Sequence, residues 1–129
     1  MQERDWVKEK IVSIDFDGVL AKYEGFKGPT VLGEPIKGAK EFVQNIIDSG
    51  FTPVIFTARK PKLIIAWLEE YEFPDVEVTN MKYPSLVYID DRCVKFDGDF
   101  SKLVNDLKEF KVHWKKEKYD VFLELKDIK

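Results

Sequence analysis

Four short β-prone runs recur along this chain: Lys10–Ile14, Phe51–Phe56, Val76–Thr79 and Leu86–Ile89. The strongest, "IVSI", "VIF" and "LVYI", are nearly continuous in apolar residues rather than alternating. A strand with one wet face alternates with period two, whereas a strand covered on both faces does not. Amphipathic segments separate the runs. Ala39, Phe42, Val43, Ile46 and Ile47 repeat at helical spacing, and Gly50 follows as a stop. Pro61 suits the first turn of a second helix with Ile64, Trp67, Leu68 and Tyr71 inside. Ser101 is expected to cap a third, whose inner face is Leu103, Leu107 and Phe110. Strand and helix in alternation predict an α/β fold with a mostly parallel sheet between layers of helix.

One connection strains that scheme. Only six residues, Asn80–Ser85, separate the last two runs, and parallel strands normally need a dozen or more. Either Val76–Thr79 is not a regular parallel strand, or the chain returns in a nearly extended passage. Six residues reach about 20 Å.

A length of 129 residues suits one domain. It is read as a core over 10–110 and a C-terminal extension over 111–129. Net charge is −3, which gives no basic field for nucleic acid. Cys93 stands alone, so no internal disulfide forms, in keeping with a reducing cytoplasm. "MQERDWVKEK" lacks the apolar stretch of a signal peptide, and no run reaches membrane-spanning length. The expected location is cytoplasmic, with no membrane partner.

In parallel α/β sheets the ligand site lies beyond the carboxyl ends of the strands. Here the first strand ends in Asp15 and Asp17, the second in Thr57, Ala58 and Arg59, and the last in Asp90, Asp91 and Arg92. Four acids, a hydroxyl and two guanidiniums are expected at one edge. Clustered carboxylates tolerate each other around a hard cation, and an all-oxygen set points to Mg²⁺. Zinc does not suit one His and one Cys twenty residues apart. Mg²⁺ commonly works with substrate phosphates. Asp15 could then attack phosphorus as a carboxylate nucleophile. Asp17, on the same side of an extended chain, could protonate the leaving oxygen. Thr57 could hydrogen-bond a phosphoryl oxygen. A lysine could balance the remaining charge, with Lys82 leading and Lys60 and Lys62 as rivals.

These motifs, in this order, resemble those of the haloacid-dehalogenase-like (HAD) phosphatases. "DFDGVL" is similar to the family's first motif, "VIFTAR" to the second, Lys82 in "NMKYP" to the third and "VYIDDR" to the fourth. The match spans residues 11 to 92, and the nearest likeness is to small capless members with a "YIDDR" stretch followed by Phe96. The resemblance implies a Rossmann-like three-layer α/β/α sandwich without a cap domain. It implies a Mg²⁺-dependent phosphomonoesterase working through an aspartyl-phosphate on Asp15. Asp15 would also bind the metal, and Asp17 would do so through its backbone carbonyl. Asp91 would be a direct ligand, with Asp90 a ligand or a partner of one. Thr57 would hold the phosphate, with Ala58, Arg59 and Arg92 near the substrate.

Two other classes share parts of this pattern. One is a HAD-fold binding or regulatory module without turnover. The other is a phospho-signalling receiver domain, but its phosphorylated aspartate ends a middle strand, and Thr79–Lys82 holds none. Within the enzyme reading the substrate is a nucleotide, a sugar phosphate, a phosphorylated polynucleotide end or a phosphoprotein, and the acidic charge disfavours the third. With only a glycine-rich flap over the site, a large substrate or a homo-oligomeric neighbour is expected to cover it. Cys93 reads as a small buried residue, His113 as structural or solvated, and Trp114, Tyr119 and Phe122 as core.

Overall fold

The computed structural model describes residues 4–128, which form two compact units: one running to Asp90 and one from Asp91 onward. The first unit contains β1 (Ile11–Asp15), α1 (Ala39–Asp48), β2 (Thr52–Phe56), α2 (Pro61–Glu70), β3 (Glu77–Thr79) and β4 (Val87–Ile89). The four strands make one sheet in the order β3-β2-β1-β4, and every pairing is parallel. This is a Rossmann-like α/β sheet, with the two longest strands at its centre.

The apolar pattern explains the packing. Val12 and Ile14 of β1 and Ile55 of β2 share one face. They cluster with Ala39 and Val43 of α1 and with Ile64, Trp67 and Leu68 of α2. Both helices therefore cover the same face, as right-handed crossovers stepping in one direction require. Trp67 is the centrepiece: its ring meets Phe16 edge-on at 4.8 Å, and its indole N–H donates to the Gly33 carbonyl at 2.8 Å. Phe42, expected inside α1, is 38% exposed, so the buried stripe is narrower than the spacing suggested.

Two prolines fall where backbone chemistry allows them. Pro61 opens α2, where no intrahelical donor is lost. Pro53 pairs with Val12 on β1, and its missing N–H lies toward β3, whose pairing starts one residue later at Val54. No ladder bond to β3 is forfeited there.

The short connection between β3 and β4 is the nearly extended passage. Both strands are parallel members of the sheet but only three residues long, so little backtracking is needed. The connection runs down the face opposite the two helices. Ser85 Oγ lies 2.6 Å from Ser13 Oγ, the Tyr88 hydroxyl donates to the Tyr83 carbonyl, and the Arg4 guanidinium lies over the Tyr83 ring.

The second unit holds α3 (Phe100–Glu109) and a 3₁₀ turn at Asp120–Glu124. Asp99, not Ser101, caps α3; its carboxylate accepts from the backbone N–H groups of Ser101 and Lys102 at 3.0 and 3.2 Å. The Ser101 hydroxyl donates to the same carboxylate, which holds the Asp99 pKa below its ordinary value. Val104 is the buried residue of α3, one position off the expected stripe. Tyr119 stacks on Phe110 and meets Phe122 edge-on. Cys93 is exposed, contrary to the expected burial: it lies in the loop after β4, outside any strand or helix that would turn it inward. Among the described residues, no helix is long and apolar enough to cross a membrane.

Candidate functional site

The sheet register brings the acids together. Ser13 lies opposite Tyr88 and Ile14 opposite Ile89, so one further step along each strand sets Asp15 against Asp90. Both side chains fall on the Ser13 face, because alternate residues share a face. Asp91 is the next residue, kept at the strand end by its peptide bond to Asp90. Carboxylate oxygens of Asp15, Asp90 and Asp91 lie within 4.8 Å of one another, and among the described residues this is the group of acids, His or Cys that could hold a metal ion.

At an effective dielectric near 20, two unit charges at this separation repel by roughly 3 kcal/mol, less where Asp90 is exposed to solvent. A divalent cation offsets that repulsion. The donor set is all oxygen, which suits Mg²⁺ or another hard ion and not zinc. Oxygens sharing one Mg²⁺ at about 2.1 Å lie at most about 4.2 Å apart, a closure within reach of small side-chain rotations. In the second unit, the Trp114 indole N–H donates to Asp91 Oδ2 at 2.6 Å and orients that carboxylate. Reading Trp114 only as core missed this. The usable signal was chemical, since an indole N–H that is partly buried normally finds an acceptor.

Asp17 is not a member of that trio. Its Oδ2 accepts from Arg59 Nε at 2.7 Å, while Oδ1 is buried without a hydrogen-bond partner. A buried carboxylate oxygen left unpaired is costly, and a catalytic role is one of the explanations such a group admits. Gly18 follows with φ +83°, the left-handed turn that takes the chain sharply off β1.

Arg59 is buried and engaged through Nε and Nη1. Besides Asp17, it donates through Nη1 to the carbonyls of Gly28 and Pro29, both at 3.0 Å. Its partner in the acid set is therefore Asp17, and the same guanidinium ties down the flap. The flap spans residues 22–34 and closes at its base through the Ala21–Pro35 bridge. Gly33 there sits so near the Lys22 carbonyl that a Cβ would come within 2.0 Å of its oxygen, so only glycine fits.

Thr57, one residue beyond β2, is 2% exposed. Its backbone N–H donates to the Thr79 carbonyl at 3.0 Å, and its Oγ accepts from the Arg59 N–H at 3.1 Å. With that acceptor site used, the hydroxyl proton is directed elsewhere. Ala58 is exposed and lines a cleft with Asp17 and Arg59. Lys82 is exposed on the β3–β4 connection, with its ammonium 4.8 Å from the centre of the Tyr88 ring. Tyr88 precedes Asp90 by two residues and shares its face, so Lys82 reaches the sheet face that carries Asp15 and Asp90. Lys60 and Lys62 border the cleft under the flap instead. Arg92 donates to the Tyr119 hydroxyl at 2.9 Å and lies over the Trp114 ring, both within the second unit. Within the expected cluster, Asp15, Asp90 and Asp91 form a carboxylate trio, and hydrogen bonds link Arg59 to Asp17 and to Thr57 beside the flap.

No family model matches the sequence, and comparison with curated proteins finds no match. A solved structure, described as the conserved protein coded by locus from Bacteroides thetaiotaomicron, is similar in fold. It superposes with a TM-score of 0.52 at 22% identity, covering 79% of this chain and 92% of that one. At that identity the likeness concerns the fold alone, and it agrees with a parallel α/β arrangement.

Proposed function

We propose that this chain is a Mg²⁺-dependent phosphatase of the HAD type, hydrolysing phosphate monoesters through a phosphoryl group carried on Asp15. The observation that supports it most is the meeting of Asp15 with Asp90, and with Asp91 beside it, at the carboxyl end of the parallel sheet. The order of the four motifs supports the same reading. Asp15, Asp90 and Asp91 would hold the ion, which when bound neutralises charge on the carboxylates and on the phosphoryl oxygens.

The residues of the chain divide the chemistry between them. An Asp15 carboxylate oxygen attacks phosphorus as the ester P–O bond breaks. The leaving oxygen takes a proton from Asp17, whose carboxylate Arg59 holds in place through Oδ2. Water then attacks the phosphorus, gives its proton back to Asp17, and the bond to Asp15 breaks. Inorganic phosphate leaves and both acids are restored. Thr57 donates its hydroxyl proton to a phosphoryl oxygen, and Lys82 follows the negative charge as it moves toward the leaving group.

Purified protein is expected to hydrolyse an aryl phosphate with Mg²⁺ present, to stop in excess chelator, and to recover on adding Mg²⁺ back. Full turnover after exhaustive chelation would falsify the metal assignment.

A further inference from the structure

A cleft of about 670 Å³ opens beside Asp17 within the first unit. Its walls are Tyr23, Phe26 and Pro29 of the flap on one side and Leu63 of α2 on the other, with Arg59 beside Asp17. Lys60 and Lys62 also line it. The volume lies in the range of small-ligand sites, which pair mostly apolar walls with a few placed polar groups.

Its position gives it a role. A proton donor must lie within hydrogen-bond reach of the ester oxygen it protonates. With the phosphoryl group at Asp15, the ester oxygen that Asp17 protonates lies beside Asp17, and the cleft that Asp17 lines is the space open to the rest of the leaving group. The placement rests on the phosphatase reading; the binding character of the cleft does not.

The walls say what kind of leaving group fits. Phe26 is 69% exposed, yet its backbone is anchored nearby: Arg59 grips the carbonyls of Gly28 and Pro29, and the guanidinium lies 5.7 Å from the Phe26 ring centre. An aromatic held over a cleft with one face uncovered is a stacking platform. Sugars and open-chain alcohols would cover less of the Phe26 face and of Leu63 than a flat ring does. Lys60 and Lys62 make the rim positive, which draws in an anionic ester.

We infer that the cleft binds the leaving group of the substrate by stacking on Phe26, and that this leaving group carries a flat aromatic ring. The shared chemistry covers an aryl phosphate and a nucleotide. Arg59 is a positioning residue here, since it fixes both the flap and Asp17.

The test is equilibrium binding by the Asp15→Asn variant, in which bound ester is not consumed, of phenyl phosphate, a nucleoside 5′-monophosphate and glycerol phosphate. The ring-bearing esters are expected to bind about tenfold or more tightly than glycerol phosphate, the scale of one base–aromatic stack. Adding Phe26→Ala is expected to remove that margin, and Phe26→Trp to restore it. A nucleotide that outbinds phenyl phosphate assigns the cleft to nucleosides, and equal binding assigns it to the ring alone. Equal binding of all three esters overturns the inference, as does a margin that survives Phe26→Ala. Turnover by the unmutated protein separates the two claims. If it hydrolyses none of the three while the margin stands, the phosphatase reading fails and the cleft assignment holds. If it hydrolyses them all and no margin exists, the reverse is true.

Discussion

Replacing Asp15 with Asn is expected to lower turnover by about 10⁴-fold or more, the scale seen when a covalent nucleophile is removed. An amide oxygen is a poor nucleophile and a weak ligand for a hard cation, so the change removes two functions at once. The backbone should be undisturbed, because Asp15 ends β1 and its pairing to β2 runs through main-chain atoms. Unchanged far-ultraviolet circular dichroism and an intact mass, which excludes deamidation back to Asp, complete the measurement. An Asp15→Asn protein that turns over near the unmutated rate would show that the covalent route is wrong.

Lys82→Ala is expected to cost on the order of 10² to 10³ in turnover, the range for losing one preorganised charge-stabilising group. A doubly ionised phosphate beside the acid trio carries more negative charge than one divalent ion neutralises. The Lys82 ammonium lies over the ring of Tyr88, which is two residues along the strand from Asp90 and on its face. Stability should change little, since the side chain is exposed on a connecting segment and surface substitutions of this kind stay within about 0.5 kcal/mol. Lys60→Ala and Lys62→Ala are expected to cost less than tenfold and to act through KM, since both line the cleft rather than the acid trio. A mild Lys82→Ala with a severe effect at either rival would move the third-motif role to the flap side.

The parts of this fold that were legible in the sequence share a cause. "IVSI" and "VIF" lie in the two central strands and are largely buried, so their apolar continuity leaves one reading, whereas "LVYI" forms an edge strand with Leu86, Val87 and Tyr88 exposed. The ends of all three placed Asp15, Thr57 and Asp90 at one edge. Less legible were features decided by competition among similar side chains. Asp99 and Ser101 are both good helix caps; Asp99 prevails because its carboxylate reaches two N–H groups at once. The Asn80–Ser85 connection looked too short because strand length was unknown, and three-residue strands remove the difficulty.

Arg59 shows the other limit. Its partner Asp17 is 42 positions away, and its carbonyl partners belong to a flap whose path no periodicity records. The sequence placed Arg59 near the acids but could not say that it would hold Asp17 and the flap together. Trp114, 23 positions from Asp91, escaped for the same reason. Local pattern reports burial well, while long-range hydrogen bonds depend on loop paths.

The central claim, a phosphoryl group carried on Asp15, has a direct measurement. The protein with Mg²⁺ is mixed with a phosphate ester, quenched in acid during turnover, and digested for peptide mass spectrometry, with borohydride used to trap the acyl phosphate. The account predicts that the phosphorylated or reduced residue is Asp15, in the peptide carrying "SIDFDG", and that it disappears when substrate is exhausted. Steady hydrolysis with no modified Asp15, or with the phosphoryl group on another residue, would contradict it.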